Sequence, residues 1–179
     1  MEGCGMVIRE AVPADAGGIA RVRVDTWRST YRGIVPDRVL DDLSYPEIEE
    51  QFLEVLADRH NPPVFYVAEN DAGEVCGFSY GGAERSGEMG CQGEIYAIYV
   101  LREYQGQGIG LRLLEKSVKG LCERGLFSMM VWVLSENPYR RFYEKLGGRR
   151  VIDNTFVFEG NEARLTAYGW SDITSFLSE

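Results

Sequence analysis

The chain has 179 residues, 45% of them hydrophobic and 12% aromatic, enough to bury one core without disulfides or a structural metal. Its 28 acidic residues against 19 basic ones give a formal charge of −9, which argues against a general grip on nucleic-acid phosphates or anionic lipid. No apolar run reaches the roughly 20 residues of a membrane span, and "MEGCGMVIRE" lacks the basic start and apolar stretch of a signal peptide. The expectation is one domain over residues 1–179, in the cytoplasm, with neither nucleic acid nor membrane as partner.

Taken in chain order, "MVIREAV" is a short apolar strand, and Pro13 and Asp15 open a helix carrying Ile19, Val22 and Trp27 at helical spacing. Trp27 and Tyr31 lie four apart before Gly33 and Pro36 interrupt. Ser44 with Glu47 three later is a capping box, predicting a helix through about Arg59. "VFYVAEN", "DAGEVCGFSY" and "EIYAIYV" are rich in β-branched and aromatic residues, and "NDAG" is a turn by composition, so an antiparallel meander is expected. "GGAERSGEMGCQG" reads as a mobile loop.

Beyond "YQGQGIG", Leu111, Leu114, Val118 and Leu121 mark one apolar helix face ending near Gly125. "LFSMMVWVL" is a near-continuous apolar strand expected to be covered on both faces. "YRRFYEKL" is a short helix stopped by Gly147 and Gly148. "RVIDNTFVF" and "ARLTAYGW" flank "EGNE" as a closing hairpin, whose aromatic surface offers a face for a homodimer. The four cysteines are unevenly spaced, and the single histidine, His60, sits at a helix end before a Pro-rich connection, so neither a metal site nor a histidine-based triad is expected.

The glycine cluster before a helix is the chemically informative junction. As a dinucleotide fingerprint it fails, because the third glycine should fall at Leu111, and as a P-loop it lacks Gly-Lys-Ser/Thr. What remains is the device both share: small residues let consecutive backbone N–H groups meet an anion at a helix N-terminus. A glycine-rich turn serving only tight packing is the competing account.

Gln105-x-x-Gly108-x-Gly110 between a strand and an amphipathic helix resembles the acetyl-CoA motif of the GNAT N-acetyltransferase superfamily. The next strand "MVWVL", Asn137, and the helix ending "FYEKLGG" follow in the family's order, so the resemblance covers residues 94–148. It implies a mixed α/β (α+β) GNAT fold: one central, mostly antiparallel sheet with a splayed parallel strand pair, flanked by helices. It also implies acetyl-CoA as cosubstrate. By position, Ile98, Tyr99 and Val100 would line the pantetheine arm, which pairs with a strand edge as an added strand does. A bulge commonly marks where such pairing breaks. Amides of Gln105, Gly106, Gln107, Gly108, Ile109 and Gly110 would take the pyrophosphate, with Asn137 touching the cofactor and capping the next helix.

Acetyl transfer to an amine needs a neutral amine, stabilisation of an oxyanion and a proton for the departing thiolate. Tyr143 matches the family's general acid, although an aromatic beside Phe142 and Leu146 is also a core residue by type. Glu94, four before Ile98, matches a base position in some members, while a glutamate at a strand end is commonly just solvated; Glu84 and Glu88 are weaker candidates. Trp27, Tyr31 and the loop of residues 81–93 would lie toward the acceptor. That acceptor is a small-molecule amine or a peptide, and the acidic chain could favour a cationic one. A CoA-binding module without catalysis, and an unrelated nucleotide-binding domain, stand as rival classes.

Overall fold

The computed structural model describes residues 5–87, 89–158 and 160–177. Glu88 and Glu159, the first residue of the "EGNE" turn, lie outside them, as does Cys4. The elements follow as β1 (Val7–Glu10), α1 (Ala16–Thr30), α2 (Asp37–Asp41), α3 (Tyr45–Ala57), β2 (Val64–Glu69), β3 (Val75–Ala83) and β4 (Gly93–Val100). The second half holds α4 (Ile109–Glu123), β5 (Met129–Leu134), α5 (Arg141–Lys145), β6 (Arg149–Phe158) and β7 (Asn161–Trp170). The seven strands form one sheet in the order β1-β2-β3-β4-β5-β7-β6, antiparallel except for the β4–β5 pair. No described helix is long and apolar enough to cross a membrane.

Strand alternation decides which helix covers which face. Phe65 and Phe78 turn toward α3, where Phe52 meets both rings edge-on at 5.9 and 5.4 Å. On the opposite face Ser79 meets Ser117 of α4 at 2.6 Å, and α4 approaches β2 closely at Gly120, where a Cβ would stand 2.7 Å from Val64. The buried face of α4 is Ile109, Leu113, Leu114, Val118 and Leu121, whereas Leu111 is half-buried. A polar cluster closes the α1 entrance: the buried Asp15 carboxylate accepts two hydrogen bonds from Arg9 at 2.8 Å and one from Val12 N–H at 2.8 Å. Outside these layers, the edge strand β6 exposes Val151, Ile152, Phe156 and Val157.

Three boundaries differ from the sequence reading. The helix begun at Ser44, whose hydroxyl accepts from Glu47 N–H, ends at Ala57 rather than Arg59, because Asp58 turns extended and its carboxylate takes the N–H groups of His60 and Asn61. "YRRFYEKL" divides into a 3-10 turn at Pro138–Arg140 and the five-residue α5. The supposed loop of residues 81–93 is mostly strand at its ends: β3 runs to Ala83 and β4 starts at Gly93. Gly81 explains this, since a Cβ there would stand 2.3 Å from the Glu94 carbonyl oxygen, so its absence is what lets the strands close. The apolar strand β5 buries Met129, Met130 and Val131, while Trp132 and Leu134 are only half-buried.

Candidate active site

The parallel pair is short. β4 and β5 pair only at Gly93–Met129, Glu94–Met130 and Ile95–Val131, while β4 continues along β3 to Val100. The β3–β4 register shifts between Tyr80 and Gly81, leaving Tyr96 as an extra residue where the β5 pairing stops. From Tyr96 to Val100, β4 is therefore paired along one side only, which opens the sheet beside α4 and α5.

At the end of this edge, the Gln105 side-chain amide donates to the Val100 carbonyl at 2.9 Å and holds the following turn against the strand. Gly106 and Gly108 sit at φ +74° and +78°, left-handed backbone that glycine adopts at no steric cost, and Gly108 caps α4. The backbone N–H of Gln105 is occupied by the Arg102 carbonyl at 3.3 Å. From residue 106 to residue 111, no backbone N–H has an acceptor among the described residues. Six consecutive donors at a helix N-terminus form a nest for an anion such as a diphosphate. A Cβ at Gly106 or Gly108 would meet nothing within 4 Å, so the backbone there is open to an approaching group.

A cavity of about 360 Å³ runs from this nest to Tyr143, with Ile98, Tyr99, Val100, Gln105 and Asn137 in its walls. Thr26 lines it too, and its buried hydroxyl has no hydrogen-bond partner among the described residues. A second cavity, of about 480 Å³, lies on the other side of Tyr31, Ile98, Tyr99, Asn137 and Tyr143, which line both. The arrangement suits a long phosphate-bearing ligand in one cavity and a smaller reactant in the other, meeting at Tyr143.

Tyr143 is buried, its ring stacked on Tyr168 at 6.2 Å and edge-on to Trp170 at 6.4 Å, so it belongs to the core as well as to the cavities. Its hydroxyl makes no hydrogen bond to a described residue. Burial, with smaller contributions from Tyr99 and Tyr31, raises its pKa far above the usual phenol value, so it holds its proton at any working pH. Tyr31 is raised as well, chiefly by burial. Asn137 caps the turn into α5 by accepting from Tyr139 N–H at 2.8 Å. Trp27 donates its indole N–H to the Tyr99 hydroxyl at 3.0 Å and meets Tyr31 edge-on at 4.9 Å.

Glu94 is placed differently. Rather than lying solvated at a strand end it is 2% exposed, and Arg85 binds both its oxygens, at 2.5 Å and 3.1 Å. It lines neither cavity. Of the weaker candidates, Glu84 spends its carboxylate on Ser86 and on Gly87 N–H, and the Ser86 hydrogen bond lowers its pKa. Glu88 is outside the described residues. The second cavity also contains side chains the sequence reading did not single out: Arg23, Tyr80, Arg85, Tyr96 and Trp132. Arg23 could have been found, since Arg23, Trp27 and Tyr31 recur four apart on one helix face.

The acetyltransferase (GNAT) domain family matches residues 61–147. The uncharacterized N-acetyltransferase YuaI of Bacillus subtilis is 39% identical over 170 residues, 95% of either chain. Among solved structures, the PaiA N-acetyltransferase of Thermoplasma acidophilum, in complex with coenzyme A, superposes with a TM-score of 0.69 at 17% identity, covering 90% of this chain and 98% of its own. The Salmonella typhimurium protein yncA, with its cofactor acetyl-CoA, superposes with a TM-score of 0.65 at 21% identity over 92% of both chains. With the splayed sheet and the donor nest at the head of α4, these likenesses fix the identity: the chain belongs to the GNAT acetyltransferase family.

Proposed function

We propose that the protein transfers an acetyl group from acetyl-CoA to a primary amine of a small molecule or peptide by direct attack in a ternary complex. The observation that carries this reading is the run of unpaired N–H groups over residues 106–111, which opens into a cavity ending at Tyr143. The nest fits a diphosphate, and the one-sided edge of Ile98, Tyr99 and Val100 fits an amide-bearing arm. Bound acetyl-CoA supplies an activated acyl group as a thioester.

Within this assignment, Tyr143 carries its hydroxyl proton at the junction of the two cavities and gives it to the departing thiolate. Asn137 and Tyr31 close the boundary between the two cavities, and Trp27 and Tyr99 wall the acceptor side. Glu94 is assigned a structural role, anchoring Arg85 beneath the acceptor cavity, and the acceptor amine loses its proton to water. Thiol release from acetyl-CoA across polyamines, peptides, amino acids and aminoglycosides tests the reading. Release with at least one class supports it; CoA binding with no release in any class would identify a binding module instead.

A further inference from the structure

The acceptor cavity carries five charged side chains, Arg23, Arg85, Glu136, Glu162 and Arg164. Four are exposed: Glu136, Glu162 and Arg164 at the rim, and Arg85 with its charge matched by Glu94. Arg23 alone is half-buried. Its guanidinium lies over the Trp27 ring at 4.4 Å and the Tyr99 ring at 5.4 Å, and donates to the Tyr99 hydroxyl at 3.3 Å. No described carboxylate pairs with it, and unlike the half-buried Arg21 and Arg28, whose guanidinium groups are bonded to backbone carbonyls, it faces a cavity. Burial holds the nearby Tyr31 and Tyr80 phenols in their neutral form. A guanidinium has five donors, and one hydrogen bond leaves most of the planar fork unspent in the cavity wall.

We infer that Arg23 recognises a carboxylate on the acetyl acceptor, so that the acceptor is an amine that also carries a carboxylate, with free amino acids as the simplest class. This rests on the acetyl-transfer reading and narrows it. The fork geometry suits one planar carboxylate held by two parallel hydrogen bonds, and the aromatic walls keep water from screening the pair. Glu136 and Glu162 against Arg164 leave one negative charge at the rim, and Glu94 offsets Arg85, so the positive charge on the inner wall is that of Arg23. It opposes the cationic acceptor that the overall acidity suggests.

The test compares the common amino acids with their carboxamides, and with putrescine, in two measurements: thiol release from acetyl-CoA, and calorimetric binding to CoA-loaded protein. Wild type should prefer acids over amides roughly ten- to a hundredfold, the range of a charge-assisted hydrogen bond. Arg23→Gln should abolish the preference through KM and Kd, and Arg23→Lys, which keeps the charge but loses the fork, should restore part of it. Melting temperatures show whether each variant is folded. Amides or putrescine bound as well as acids, or a preference that survives in Arg23→Gln, would overturn the inference. Acid-selective binding lost in Arg23→Gln but without thiol release would sink the acetyl-transfer reading and leave the carboxylate site standing.

Discussion

The Asn137 side-chain amide donates to the Tyr31 hydroxyl at 3.0 Å, joining residues 106 positions apart across the open end of the sheet. Its oxygen at the same time caps the turn into α5. Asn137→Ala should therefore lose about 1 kcal/mol of capping energy, a drop of roughly 2–4 °C in melting temperature for a chain of this size. Asn137→Ser retains a capping oxygen but is too short to reach Tyr31. It should melt close to wild type, and both variants should raise KM because each frees Tyr31 at the boundary of the two cavities, which calorimetry and steady-state kinetics together would show.

Tyr143→Phe removes the hydroxyl and keeps the ring packed on Tyr168 and Trp170. Turnover should fall by about 10²-fold or more, with acetyl-CoA affinity nearly unchanged. Because the folded protein raises the Tyr143 pKa, the wild-type rate should climb with pH as the acceptor amine deprotonates. It should show no loss attributable to this phenol up to its ordinary value of about 10. A descending limb at neutral pH that vanishes in Tyr143→Phe would contradict this.

At Gly108, φ is +78°, and an added Cβ would enter open space beside the nest. Gly108→Ala should cost about 1–2 kcal/mol from the left-handed backbone. The larger effect should be on CoA, measured by calorimetric titration, and a dephosphorylated pantetheine fragment should be insensitive to the change. Equal losses for both ligands would place the anion contact elsewhere.

Glu94→Gln separates the structural role from a basic one. Removing the charge that holds Arg85 should lower stability by about 1–3 kcal/mol in denaturant titration. The shape of the kcat/KM profile against pH should be unchanged. Loss of its ascending limb would reinstate Glu94 as the base.

Acid stability should depend on Asp15. Arg9 hydrogen-bonds its carboxylate and holds the pKa below the usual range, so the folded state binds this proton less readily than the unfolded chain. The resulting stability is present above the unfolded value of about 3.9 and fades as pH falls through the lower folded value. Asp15→Asn should be less stable at neutral pH and lose less on acidification below about pH 4, as thermal unfolding at stepped pH would reveal.

Local patterns were legible because their physics is local. Capping at Ser44, the periodic face of α4, the alternation in β6 and β7 and the glycines before Ile109 each depend on residues within a few positions of one another. That was enough for the family, the mixed sheet with its splayed parallel pair, and the head of α4. What only the folded chain decided were relations between distant residues. Gly81 carries β3 into the start of the expected loop, shortening it to the stretch between Ala83 and Gly93, because the Glu94 carbonyl lies against it, and Glu94 became a buried anchor because Arg85 reaches back to it. The charge lining the acceptor cavity was likewise beyond composition: net charge sums over the whole surface, whereas the cavity wall holds the half-buried Arg23 guanidinium, which no described carboxylate pairs, because the fold stacks it between Trp27 and Tyr99.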